Sequence, residues 1–454
     1  MSTLSGEDTM QRKPGQLWTH WLAQSERSPD KVVLIDAPAN KSSMARALTQ
    51  ASLDFSECLR RFHPGDRIAF RLPNSPEWLA FFLALQRAGL AAVPLDGAMP
   101  AEGCLETARR LGATGLYLDG EFHSLGKIPA GFPRNKTCCC VKVTSGSDGI
   151  PNAIQCRPEH LLADGRNVAK TMGIRPGDIN LAVIPLGHSY GLGNLVLPLI
   201  LQGTAIVSAN EYVPRQLVEW IGRHRVTVLP AVPALLRVLA ALPPAAAKCP
   251  CLRTVVSAGA VLPPAVAQAF FATYGIKVHN FYGSSETGGI CYDRTGTASL
   301  TGRSVGKPMT GVTVTIRAGH VTVAGPAVAM PRQRWRLGDL GQWNPRGELV
   351  LLGRAGQGAN IGGKKVHPLE IERALRTLPG VTDAAVWLSQ SHGRDLIAAA
   401  VETTHARAEI ERALATRLPA WQLPKAYVIA RDLPRTPRGK LDLARLKMES
   451  QPPA

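Results

Sequence analysis

Four short segments carry residue types that handle phosphate and ribose. Val143–Ile154 reads VTSGSDGIPNAI, where Thr144, Ser145 and Ser147 alternate with Gly146 and Gly149. Hydroxyls and backbone N–H groups converging in a glycine loop can wrap a polyphosphate. No Gly-Lys-Ser/Thr follows, so this is not a Walker A loop. A plain Ser/Gly turn has the same composition. Phe281–Gly289 reads FYGSSETGG. Tyr282 could stack on a base, and Glu286 could hold Mg²⁺, which takes one or two carboxylates plus phosphate oxygens. A capped loop with a solvated glutamate is the plainer alternative. Arg336–Gly341, RLGDLG, precedes Gly353-Arg354. Asp339 on a short loop can accept both hydroxyls of a ribose, and Arg354 can brace the sugar or a phosphate. Pro434–Asp442, PRTPRGKLD, holds Lys440 on a turn near the chain end. An ammonium so placed can neutralise charge building on a phosphoryl group. Its surroundings, Arg431, Arg435, Arg438, Arg445 and Lys447, would equally make a basic tail.

The elements around these segments alternate strand and helix. Arg67–Phe70 reads as a strand. Asn74 or Ser75 can cap a helix with Pro76 at its start, and this helix ends near Gly89. Ala91–Leu95 is the next strand. The same βαβ pattern recurs at Ile179–Pro185, Leu195–Gln202 and Thr204–Val207, and again at Val226–Leu229, Pro233–Ala241 and Thr254–Ser257. Repeated βαβ units predict parallel sheets covered by helices. After about residue 310 come short alternating strands, Val312–Ile316, His320–Val323 and Glu348–Leu352, which suit a small antiparallel barrel or sheet. Leu351–Gly363 holds five glycines and suits a hinge. Beyond it, helix Pro368–Leu378, strands Ala384–Leu388 and Leu396–Val401, helix Arg407–Leu418 and strand Ala426–Ala430 make a small α+β domain. The expected division is 1–353 and 354–454, with a disordered tail at Gln451–Ala454.

The 454 residues are 45% hydrophobic and 19% charged, which is globular and not disordered. Lys+Arg outnumber Asp+Glu by 52 to 34, a formal charge of +18. That excess favours anionic partners. A nucleic-acid ligand is not expected, because basic and aromatic residues do not interleave. The nine cysteines show no paired spacing, and Cys138-Cys139-Cys140 cannot form a metal site alone, since adjacent side chains of an extended segment point to opposite faces. They read as reduced thiols of a cytoplasmic protein. No signal peptide is visible in Met1–Gln16. The uncharged Ile179–Asn210 is broken by prolines and glycines and reads as a strand, turn and helix, without membrane insertion.

In one order along the chain, these segments resemble the adenylate-forming superfamily: acyl- and aryl-CoA synthetases, luciferase and peptide-synthetase adenylation domains. The resemblance runs from about Asp66 to Lys447. It includes DRIAFRLPNSPEWLAFFLALQRAG, VTSGS, PLGHSYGLG, SAGA (Ser257–Ala260), YGSSETG, GDLG, GRAGQGANIGGKKVHPLEIE and RTPRGK. It implies a large α/β N-terminal region of βαβ subdomains plus a small β-barrel, and a small mobile α+β C-terminal domain. It implies ATP and Mg²⁺, and two half-reactions: a carboxylate forms acyl-AMP, then a thiol of coenzyme A or of a phosphopantetheine on an acyl carrier protein displaces AMP. Carried across, Thr144, Ser145 and Ser147 wrap the β/γ-phosphates. Ala258, Gly259 and Ala260 line the adenine pocket with Tyr282 and Gly283, and Ser285 lies at the α-phosphate. Glu286 binds Mg²⁺, Asp339 and Arg354 take the ribose, and Lys440 bridges carboxylate and phosphate. His188 stands at the entrance of an acyl pocket shaped by Gly191, Gly193 and Gly283.

Several positions depart from the family pattern. Asp148 replaces a threonine of the phosphate loop, Asn152 its lysine and Ala153 its glycine. The hinge position is Gly356, and a later lysine is Asn360. These changes leave a degenerate, non-catalytic nucleotide binder as one alternative. Gly187–Asn194 has no acid to pair an α-ammonium, and Tyr190–Asn194 looks like the corresponding run of benzoate-type ligases. An aryl carboxylate is therefore favoured, with a fatty acid as competitor if the glycines leave a tunnel open. The basic cluster around Arg435 suits either coenzyme A or a carrier protein.

Overall fold

The computed structural model describes residues 14–126, 131, 133–144, 152–210, 213–243, 249–355, 359–361, 364–366, 368–391, 394–436 and 439–449. Packing divides the chain into two compact units. The first holds 1–211, 284–288 and 326–333, and the second holds 212–283, 289–325 and 334–454. This division falls elsewhere than the expected boundary at 353/354.

The first unit is built on parallel strands. Arg67–Arg71 pairs in parallel with Ala91–Pro94 and with Gly115–Leu118, and antiparallel strands Glu121–Ser124 and Asn152–Cys156 close the two edges. The crossover helix Pro76–Arg87 starts as the sequence predicts. The Ser75 hydroxyl accepts from the Trp78 N–H at 3.1 Å, with proline at the first turn. Its Trp78, Phe81 and Phe82 are all but fully buried, and Phe81 stacks on Tyr117 with ring centroids 4.6 Å apart. Such aromatics anchor a core by large apolar burial. A second set of parallel strands runs Ile179–Ala182, Ala205–Ser208 and Val32–Asp36, with Lys41–Met44 antiparallel at the edge.

The second unit begins with parallel strands Val228–Ala231, Thr254–Ser257 and Val278–Ser284. A four-stranded antiparallel sheet follows: Thr313–Arg317, His320–Ala324, Arg334–Trp343 and Leu349–Arg354. Among the described residues its outer strands do not pair with each other, so it is an open sheet where a small barrel was expected. The C-terminal segment forms the sheet Val381–Ser391, Arg394–Thr403 and Ala426–Ala430, covered by helices Pro368–Arg376 and Arg407–Ala415. Ile371, Leu375, Val386, Val401, Ile410 and Leu414 fill its core. The α/β class is thus as the sequence implies.

Candidate active site

In the second unit, the ribose-type residues meet. Tyr282 lies within strand Val278–Ser284, and its hydroxyl donates to Asp339 Oδ2 at 2.6 Å. Arg354 Nε donates to Asp339 Oδ1 at 3.3 Å, and the two residues are cross-strand partners. Asp339 is therefore not on a loop, as its glycine neighbours suggest, but inside strand Arg334–Trp343 beside a register shift at Leu340/Gly341. Gly341 is needed because a Cβ would press on Leu349 and Val321, each 2.9 Å away, whereas the space beside Gly338 is open. Burial and the adjacent Asp339 carboxylate hold the Tyr282 phenol far above its ordinary range, so it remains a donor. The Ser257–Ala260 turn ends a strand. Ala258 is buried and Ala260 exposed, and Gly259 takes a φ of +84° that favours glycine. Lys440 is exposed on a turn in which the Thr436 N–H donates to the Lys440 carbonyl at 2.8 Å.

In the first unit, the Ser285 hydroxyl bonds the Ser189 hydroxyl at 2.7 Å, and the Ser285 carbonyl accepts from Lys142 Nζ at 3.5 Å. The Glu286 carbonyl accepts from the Ala329 N–H at 2.8 Å, and the residue is partly exposed. Among the described residues no three His, Cys, Asp or Glu side chains cluster as a metal cage. A single accessible carboxylate fits Mg²⁺ that draws its remaining ligands from phosphate and water. His188 is exposed, and its Nδ1 accepts from the Tyr190 N–H at 3.3 Å, which leaves the proton on Nε2 when the ring is neutral. Thr144 ends strand Cys140–Thr144, while Ser145, Ser147, Asp148, Gly356 and the tail Gln451–Ala454 lie outside the described residues.

The glycines of the acyl segment have a packing reason. A Cβ on Gly191 would run into the Pro185 carbonyl, and one on Gly193 would sit 3.1 Å from the Asp164 carboxylate. Instead of the uniform helix expected at Leu195–Gln202, a π-helical stretch spans Leu192–Val196, and the α-helix begins at Leu197. Such bulges often mark functional positions. Sequence reasoning missed Asp164 and Lys142, both buried and within electrostatic reach of each other. The only available signal was a lysine in the strand Cys140–Thr144, which is otherwise mostly apolar. A separate cleft of about 590 Å³, lined by Asn135, Gln155, Arg157, His160 and Arg332, contains none of the expected site residues.

The expected basic cluster is partly used up internally. Arg435 binds Asp383 and Glu402, and Arg445 pairs with Glu449 at 3.0 Å. Arg438 lies outside the described residues.

A model of the AMP-binding enzymes matches residues 21–130 and 119–329, and one of the C-terminal domain of AMP-binding enzymes matches 370–440. The chain belongs to the AMP-binding enzyme family. Among its relatives is a probable non-canonical nonribosomal peptide synthetase, CymA of Salinispora arenicola, at 29% identity over 92% of this chain. The chain spans only 6% of that synthetase. A feruloyl-CoA synthase of Amycolatopsis is 26% identical over 83% of this chain and 87% of its own length. Among solved structures, ATP-bound MatB from Rhodopseudomonas palustris superposes with a TM-score of 0.82 at 21% identity, covering 96% of this chain and 99% of its own. The adenylate-forming fold is thus common to both. Among the described residues, no helix of this family member is long and apolar enough to cross a membrane.

Proposed function

We propose that the chain is an ATP-dependent acid–thiol ligase that forms an acyl-AMP, with an aryl carboxylate favoured, and passes the acyl group to the thiol of coenzyme A or of a carrier-protein phosphopantetheine. The observation that carries this reading is the Tyr282–Asp339–Arg354 assembly, whose Tyr282 stands four residues before the accessible Glu286 in sequence. In the first half-reaction a substrate carboxylate oxygen bonds to the α-phosphorus of ATP, and the bond to the β-phosphate bridging oxygen breaks. In the second, a thiol sulfur bonds to the acyl carbon, AMP leaves with the electron pair, and the thiol proton passes to solvent.

Each residue has a stated task here. Thr144, Ser145 and Ser147 hold the β/γ-phosphates, and Ser285 faces the α-phosphate. Tyr282 stacks on adenine against Ala258, Gly259, Ala260 and Gly283, while Asp339 and Arg354 hold the ribose. Glu286 would hold Mg²⁺, which screens phosphate charge when bound. Lys440 brings a positive charge to the meeting of two anions, where loss of such a stabiliser costs roughly 10²–10³ in rate. His188 orients the acid at the pocket mouth beside Gly191 and Gly193. The segment 354–454 moves as a lid, since Lys440 must leave before a thiol can take its place.

Two observations favour an aryl acid over a fatty one. Packing against the Pro185 carbonyl and the Asp164 carboxylate accounts for Gly191 and Gly193 without a tunnel, and a feruloyl-CoA synthase is among the relatives. ATP–pyrophosphate exchange with benzoates, hydroxycinnamates and fatty acids of graded length is the test. Exchange with aryl acids supports the reading. Exchange only with fatty acids replaces the substrate class, and none with any acid points to a non-catalytic nucleotide binder.

A further inference from the structure

Helix Pro233–Ala240 precedes the C-terminal segment by more than a hundred residues, yet it grips that segment at two places. Its Arg237 donates from Nη1 to Glu402 and from Nη2 to Asp383 Oδ2 at 3.2 Å. One turn back, Ala234 lies against Gly439, so closely that a Cβ on Gly439 would run into the Ala234 methyl. Gly439 has a φ of +73° and immediately precedes Lys440. Asp383 and Glu402 are themselves buried, at 5% and 2% exposure.

The same two carboxylates hold the base of the Lys440 turn. Arg435 Nη2 reaches Glu402 Oε2 at 2.8 Å and Asp383 Oδ2 at 3.1 Å. The turn is closed by the Asp442 N–H donating to the Pro434 carbonyl at 2.8 Å, and by the pairing of Arg435 with Leu441. A chain of charge-assisted bonds therefore runs from Arg237 through Asp383 and Glu402 to Arg435, five residues before Lys440. The remaining arginine of the cluster, Arg376, binds Asp383 at 3.0 Å and Glu372 at 3.2 Å from within the C-terminal segment. Arg376 and Arg435 thus leave each of these carboxylates with an arginine partner whether or not Arg237 is present. Of the cluster's arginines, Arg237 is the one contributed from outside 354–454.

We propose that Arg237 is a positioning residue that clamps the C-terminal segment to helix Pro233–Ala240 and so sets where the Lys440 turn stands. The clamp acts in the acyl-AMP half-reaction and must open before the thiol step. It rests on the reading of Lys440 as the cation of the first half-reaction. Its chemistry suits a reversible joint. Arg237 is partly exposed, at 27% of its side chain, so water can solvate it on release. The carboxylates it leaves keep their other arginine partners and are not stranded.

The test uses the full chain with Arg237→Met and Arg237→Lys. Arg237→Met should slow pyrophosphate exchange about tenfold or more. It should leave thioester formation from a supplied aryl-adenylate and coenzyme A unchanged or faster, and Arg237→Lys should recover part of the loss. The urea midpoint should fall only modestly, because Asp383 and Glu402 each keep another arginine partner. Limited trypsin cleavage within 354–369 should quicken in Arg237→Met. That measurement reads the clamp without turnover, so a parent protein inactive with every acid would refute the proposed function while leaving the clamp to the protease data. Equal loss of both half-reactions with a collapse of the urea midpoint, or an unchanged cleavage rate, overturns the clamp.

Discussion

Replacing Asp339 by asparagine tests the nucleotide site most directly. Each carboxylate oxygen has two lone-pair positions. Tyr282 takes one on Oδ2 and Arg354 one on Oδ1, which leaves one on each oxygen, two in all. A ribose offers two hydroxyls. In Asp339→Asn one oxygen becomes an NH₂ group. Arg354 can only donate, so the amide oxygen must face it, and the NH₂ meets the Tyr282 hydroxyl and one ribose hydroxyl. One acceptor for ribose is lost. A hydrogen bond to a charged group is worth about 1.5–3 kcal/mol, which is about 10- to 150-fold in affinity. Displacement of a fluorescent ATP analogue by ATP, 2′-deoxy-ATP and 3′-deoxy-ATP reads this loss. ATP affinity should fall by that factor, and the preference for ATP over at least one deoxynucleotide should shrink. A variant that binds ATP as tightly as the parent, or that keeps both preferences in full, would refute the assignment of Asp339 to the ribose.

Three further outcomes are expected. Lys440→Ala should slow acyl-AMP formation by roughly 10²–10³ but spare thioester formation from supplied acyl-AMP; equal losses in the two single-turnover assays would contradict the lid. Gly191→Ala should destabilise the fold by about 1–3 kcal/mol, because the new methyl meets the Pro185 backbone carbonyl, which cannot swing aside. An unaltered urea midpoint would show that the turn yields freely. Burial works to raise the Glu402 carboxyl, but bonds from Thr382, Arg237, Leu433 and Arg435 outweigh it and hold it below the ordinary range. A carboxyl lowered on folding adds stability above its unfolded value, about pH 4.3, and that contribution is lost as pH falls through the folded value. The stability gap between the parent and Glu402→Gln should therefore narrow below about pH 4; a gap constant down to pH 3 would speak against these contacts.

Much of this was legible in the sequence because local rules governed it. Ser75 and Pro76 start a helix by capping alone, and helix Pro233–Ala240 and strand Thr254–Ser257 lie within a residue of where their pattern puts them. Asp339 read as a loop residue because Gly338 and Gly341 hide a strand whose pairing comes from both neighbours. Tyr282 likewise falls inside strand Val278–Ser284, where its glycine and serine neighbours suggest a loop. The π-helical stretch at Leu192–Val196 leaves no periodic signal over five residues. The partners of Arg237 lie 146 and 165 residues further on, so no window of sequence contains the pair. The nearness of Asp164 to Lys142 was hidden in the same way: neither stands out until helix Pro158–Met172 is laid beside Gly193 and Gly288.

The nine free thiols take on a meaning beside an activated acid. An acyl-adenylate is a general acylating agent, and an anionic thiol is the nucleophile it would find first. Cys138, Cys139, Cys140, Cys156 and Cys291 are sequestered in the interior. Burial pushes the Cys138 thiol up to about 12 and that of Cys249 to about 11, and it raises Cys139, Cys140 and Cys156 as well. At neutral pH these sulfurs stay protonated and out of reach. In the proposed reaction these buried thiols are kept away from the reactive anhydride, while the partly exposed Cys58 and Cys251 are not.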